Sequence, residues 1–166
     1  MSFYQYEFVR PIQKHSMGFN KKGELFYNVL YLPDALINTL PLDQYPRLRI
    51  EGEMHEQPFE GAVQPDKEKK YLLISQKFLS QHKLKLGDSV EVRFNIANQD
   101  HVNLPAELEQ ALHDNEKAFK LWSRFTPGKK RGFATSVLSA KQPATREKRA
   151  RTAINHILNG KNAGGR

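Results

Sequence analysis

The sequence predicts an α+β chain: a small pseudo-symmetric β-barrel followed by a helical domain of about four helices. Short apolar runs with strand-like alternation fill the chain up to residue 96. One strand–helix–turn–strand pattern returns 42 residues further on. From residue 105 the apolar residues switch to helical spacing. These observations set the expected domains at residues 1–98 (β-barrel) and 104–160 (basic helical), with a disordered tail at 161–166.

In the first part, Phe3, Tyr4, Tyr6, Phe8 and Val9 predict a strand that ends near Pro11. Leu25 to Leu32 form a second β-rich run after Gly23, and Pro33 to Asn38 predict a short helix with proline in its first turn. Arg47 to Glu51 alternate polar and apolar, Phe59–Val63 and Tyr71–Ile74 read as short strands, and Ser89–Ile96 as the last one. Ser75 is placed to cap a helix over 76–82. Under the 42-residue shift, Val29–Pro33 falls on Tyr71–Ser75, Leu36-Ile37 on Phe78-Leu79, and Leu48 and Ile50 on Val90 and Val92. Two such units can bury their apolar faces on each other, and closing them into a barrel would remove exposed edges. Leu86-Gly87-Asp88 reads as a turn in which glycine supplies a positive φ and aspartate binds backbone amides. It looks like the GD box of cradle-loop and double-psi barrels and is a structural element.

In the second part, Pro105–His113 predicts a helix, and Asn115–Phe125 sets Ala118, Phe119, Trp122 and Phe125 on one stripe, with Trp122 as a core anchor. Thr126-Pro127 opens a third helix by capping and by proline at its first position. A break at Gln142-Pro143 starts the last helix, Pro143 to Leu158, with Ala150, Ala153, Ile154 and Ile157 inward. Lys129, Lys130 and Arg131 near the start of the third helix oppose its dipole, which favours an external anionic partner.

Charge divides the chain unevenly. The net of +8 separates into −4 for residues 1–116, with 13 Lys and Arg against 17 Asp and Glu, and +12 for residues 117–166, with 13 against one. Such asymmetry points to an anionic ligand or macromolecule, nucleic acid included, unless the bases only solvate a helical surface. Without cysteine the chain has no disulfide or thiolate zinc site. It has no apolar run long enough to span a membrane and no signal-peptide pattern at Met1–Glu7, so it reads as cytoplasmic.

At 100° per residue Arg146 lies about 40° from Ala150, on the edge of the buried stripe, with Arg149 flanking it. Two readings stay open. Lys141, Thr145, Arg146 and Arg149, with the free amides at the helix start, form an anion pocket; or Arg146 makes an internal salt bridge, for instance to Asp114 or Glu116. For catalysis the sequence offers little. Its six histidines have no metal-ligand spacing, and it has no phosphate-cradling glycine loop and no Gly-x-Ser-x-Gly elbow. His55, between Glu53 and Glu56, reads as a solvated hairpin end. The chain is therefore expected to be no enzyme and to need no cofactor.

Several of these residues also carry a resemblance. Leu104-Pro105-x-Glu107-Leu108, Ala111-Leu112, Phe119, Ser139-Ala140-Lys141-x-Pro143-x-Thr145-Arg146 and Arg149 are similar to the C-terminal helical domain of bacterial YdeI/OmpD-associated bacteriocin-protection proteins. Gly52, Phe59-x-Gly61 and Leu84-x-Leu86-Gly87-Asp88-x-Val90-x-Val92 resemble a small bacterial β-barrel domain of unknown function fused to it. Together they cover about residues 4–160. The chain departs from the family in its third helix, Arg131-Gly132-Phe133-Ala134-Thr135, where aromatic residues with arginine are usual. The resemblance implies a non-enzymatic protection or stress-tolerance role with an anionic ligand or partner at the basic helices. The alternative is a nucleic-acid-binding regulator that uses the last two helices as a helix-turn-helix.

Overall fold

Strand alternation and helical spacing are both realised, each in its own unit: Met1–Asn98 holds the sheets and Gln99–Arg166 a set of helices. The computed structural model describes residues 3–166. The first unit runs β1 (Tyr6–Pro11), β2 (Gln13–Asn20), β3 (Gly23–Tyr31), α1 (Asp34–Ile37), β4 (Arg49–Met54), β5 (Gln57–Ala62), β6 (Tyr71–Ile74), α2 (Gln76–Gln81) and β7 (Ser89–Ile96).

These strands form two open antiparallel sheets, ordered β1-β7-β4-β5 and β2-β3-β6. The repeat is realised as strand pairing between its copies. β3 pairs with β6, with Leu30 opposite Leu72, and β4 pairs with β7, with Gly52 opposite Phe94. The expected barrel does not form. Closure would need the outer strands to pair, yet β5 and β6 are joined only by the single bridge Gln64–Tyr71. Four-residue β6 is too short to cover nine-residue β3, and β2, which the sequence reading missed, takes the other side of β3 as an outer strand. The looser half of the family resemblance, the β-barrel domain, falls with that observation.

One core lies under both sheets. Phe8, Ile50, Met54, Val90, Val92 and Phe94 from the first sheet meet Leu30, Leu72 and Ile74 from the second, with Leu79 of α2. Phe94 is fully buried between Tyr6, stacked at 5.1 Å, and the edge of Phe8 at 6.3 Å. Burying a side chain of that size is worth about 1.5–3 kcal/mol. Gly52 lets β4 approach: a Cβ there would stand 2.0 Å from the Arg93 carbonyl oxygen. Gly87 has φ +90, and an Asp88 carboxylate oxygen accepts from the Lys85 amide at 2.9 Å, as the turn chemistry requires. His55 and Glu56 form the two-residue turn between β4 and β5, both with positive φ. In β2 a bulge interrupts the register between Ser16 and Phe19, where Gly18 has φ +93.

The second unit comprises α3 (Ala106–His113), α4 (Glu116–Ser123), α5 (Pro127–Leu138) and α6 (Pro143–Leu158). Asn115 caps α4 through the Ala118 amide at 2.9 Å, and Thr126 caps α5 through Lys129 at 3.3 Å, with Pro127 at the first position. Their inward faces supply Leu108, Leu112, Trp122, Phe133, Val137, Ala153 and Ile157 to a separate core. Trp122 is 6 % exposed, while Phe119, expected on the same buried stripe, is 52 % exposed. After α6 the chain turns back. The Lys161 amide donates to the His156 carbonyl at 2.8 Å, and Ala163 packs against the helical core.

Candidate functional site

The start of α6 decides what the basic residues can do. No side chain caps its N-terminus, since Gln142 makes no capping bond, and Pro143 opens it. Lys141 and Thr145 are exposed there. Arg146 is turned to the protein itself. Its Nε donates to the Ala140 carbonyl at 2.9 Å and one terminal nitrogen to the Lys141 carbonyl at 3.5 Å; the other lies 3.7 Å from a Glu107 carboxylate oxygen. Arg146 thus ties α6 to the loop before it and to α3, and its carboxylate partner is Glu107, neither Asp114 nor Glu116.

Arg149 is placed differently. One terminal nitrogen donates to the Ser136 carbonyl at 2.9 Å and meets the Ser139 hydroxyl at 2.6 Å, which caps the C-terminal end of α5 with a cation. The other guanidinium donors remain available, since a guanidinium carries five. Arg149 lines a pocket of about 300 Å³ between α5 and α6, with Ser136, Ser139, Thr152 and His156. At 100° per residue Thr145, Arg149, Thr152 and His156 fall within about 60° of one another, so one face of α6 runs from its open N-terminus to this pocket. The structure brings Arg149 and Thr145 onto that face, leaves Lys141 in the preceding bend, and commits Arg146 to protein partners. Sequence reasoning missed Thr152 and His156, whose i+3 and i+7 spacing from Arg149 was available. Ser136 and Ser139, on another helix and its cap, carry no such signal.

The basic start of α5 finds partners inside its own unit. Lys129 Nζ lies 4.0 Å from the Phe125 ring centroid and Lys130 Nζ 6.0 Å from that of Trp122. Arg131 donates to the Gln99 and His101 carbonyls at 2.9 and 3.2 Å. All three bases thus have local partners, which removes the reason to expect an external anion from their place at the start of the helix.

A second cluster, also unforeseen, sits on the sheets. Asp66 lies 3.1 Å from His15 Nε2, and His15 Nδ1 is 2.7 Å from the Tyr31 hydroxyl. A carboxylate only accepts, so Nε2 donates to Asp66, while Nδ1 shares a hydrogen bond with the phenol. Tyr71 packs on the His15 ring at 4.4 Å. Burial, then the nearby Asp66 charge, pushes the Tyr31 and Tyr71 phenols above the ordinary tyrosine value.

Among the described residues, no group of three or more His, Asp or Glu side chains could hold a metal ion, and no helix is long and apolar enough to cross a membrane. The helical unit is thus a small bundle with a pocket in which Arg149, His156 and three hydroxyl side chains stand beside Ala153 and Ala163. Residues 101–160, about a third of the chain and wholly within that unit, match the family model described as Bacteriocin-protection, YdeI or OmpD-Associated. That description names protection and no reaction. No curated protein and no solved structure matches the chain.

Proposed function

We propose that the helical unit is a binding module of the protection type that takes an anionic ligand along the α5–α6 face, anchored by Arg149. The observation that carries this reading is the pocket of about 300 Å³ in which Arg149 stands with the Ser139 hydroxyl, Thr152 and His156. Hydroxyl and guanidinium donors suit an oxyanion, and the start of α6, which no side chain caps, adds a positive dipole end beside Thr145 and Lys141. Arg146 supports the module indirectly, by holding the start of α6 in place.

The test is a titration of the full chain with inorganic phosphate and with sulfate, followed by the NMR resonances of the His156 ring. Saturable shifts that vanish in Arg149→Gln are expected; unmoved resonances would sink the proposal. Duplex DNA at low salt separates the alternative. Retention that falls steeply as salt rises, with no response of His156 to phosphate, would favour a nucleic-acid-binding regulator instead.

A further inference from the structure

Strands β2 and β3 continue past the sheet that holds them. β6 pairs with β3 only over Asn28–Tyr31, and among the described residues no strand meets Gly23–Tyr27 on the side away from β2. Residues 16–27 therefore form a two-stranded arm, which reaches about 16 Å past the pairing of Asn28 with Ile74 at roughly 3.3 Å per residue.

Both faces of this arm are apolar where water would call for polar residues. Leu25 and Tyr27 point to one face with Met17, whose sulfur accepts from the Tyr71 hydroxyl at 3.5 Å. Phe26 points to the other with Lys14, whose Nζ lies 5.8 Å from its ring centroid, and Phe19, opposite Glu24, joins that face. Exposure runs from 41 % at Leu25 to 81 % at Phe19. Of the twelve large apolar side chains exposed among the described residues, these are five, so the apolar surface is concentrated on the arm and not scattered. Charge is also one-sided: residues 13–27 hold Lys14, Lys21 and Lys22 against Glu24, which accepts from the Ser16 hydroxyl at 2.6 Å.

Whatever covers the arm must reach both of its faces. A protein surface laid on one face leaves the other in water, whereas lipid closes around an embedded element from every side. A bilayer interface takes elements to a depth of about 5–10 Å, enough for a ribbon whose strands lie about 4.8 Å apart. Lysine stems run along apolar surface while their ammonium groups stay at the level of the phosphates, and each such cation favours an anionic surface.

We infer that the β2–β3 arm lies in the interface of an anionic phospholipid bilayer, with Phe19, Leu25, Phe26 and Tyr27 between the headgroups and Lys14, Lys21 and Lys22 at the phosphates. The inference is independent of the anion pocket at Arg149, which belongs to the other unit.

The experiment mixes the full chain with sedimentable vesicles, of phosphatidylcholine alone or of equal parts phosphatidylcholine and phosphatidylglycerol. The native chain is expected to sediment with the mixed vesicles, less as salt rises, and far less with phosphatidylcholine alone. The double variant Phe19→Ser, Phe26→Ser, at exposed positions, is expected to weaken binding by at least about tenfold. Lys21→Glu, Lys22→Glu is expected to do the same on the mixed vesicles. Arg149→Gln is expected to bind as the native chain does, which separates the arm from the basic helices, and circular dichroism confirms that each variant folds. In Phe19→Trp the added indole is expected to shift its emission to the blue on the mixed vesicles, while the native chain, whose Trp122 is buried, shows no shift. The inference is overturned if the native chain stays in solution with the mixed vesicles, if the Phe19→Ser, Phe26→Ser variant sediments as it does, or if the Phe19→Trp emission does not move. Concentration-dependent dimerisation that the serine variant abolishes, without vesicle binding, would assign the arm to a second copy of the chain instead.

Discussion

At the residue scale, partners decide what each charged or polar side chain is free to do. The +12 of residues 117–166 looked like a surface awaiting an anion. Yet Lys129 and Lys130 lie over aromatic rings, Arg131 and Arg146 bind carbonyls, and Arg146 also meets Glu107. Charge is legible in sequence, whereas the carbonyl that consumes a donor is set by folding. The Tyr31–His15–Asp66 chain was equally hidden, because residues 15, 31 and 66 meet only through strand pairing and a loop. It carries a pH prediction. Burial and Asp66 raise the folded pKa of Tyr31 and Tyr71 above the unfolded value near 10.0, so the folded chain keeps protons that the unfolded chain releases. Their contribution to stability is complete below that value and is lost as pH rises through the folded pKa. Urea unfolding across the alkaline range should show stability falling, and the double variant Tyr31→Phe, Tyr71→Phe should flatten the fall.

At the scale of elements, alternation and capping located most strands and helices, and failure came where no face is buried. β2 has not one buried residue, so its sequence, Gln13–Asn20, shows no alternation to read. Its pairing with β3 sustains it instead. Helix α5 allows a direct measurement of propensity. At Gly132 an added Cβ would meet only the Ala163 side chain, at an ordinary 3.8 Å. Gly132→Ala is therefore expected to stabilise the helical unit by up to about 1 kcal/mol, read from Trp122 fluorescence in urea. A loss of stability would mean that the turn carrying Ala163 cannot accept even a methyl group.

At the scale of the whole molecule, the boundary of the units redraws the charge map. Residues 1–98 carry 13 Lys and Arg against 12 Asp and Glu, a net of +1, so the sheet unit is close to neutral and the five acids of residues 99–116 belong to the start of the other unit. Inside that helical unit the two signs separate again, with Glu107, Asp114 and Glu147 lining a groove between α3 and α6 and Arg149 the pocket at α5, and composition has no way to show this. Strands related by the repeat pair with each other, β3 with β6 and β4 with β7, but closure depends on the outer strands, and of these β1, β2 and β5 lie outside the repeated pattern. Two cores give a further prediction. Phe133→Ala should cost about 3–5 kcal/mol in the transition reported by Trp122, the single tryptophan, while Phe94→Ala should leave that transition in place and lower the stability of the sheets. The bulge at Gly18 has a consequence for the protein in concentrated solution. β2 is an outer strand that bears Phe19 at 81 % and Met17 at 45 % exposure, an open invitation to fibril-like growth if it were straight. The kink breaks the row of amides and carbonyls halfway along, so the edge offers a neighbouring strand no continuous template.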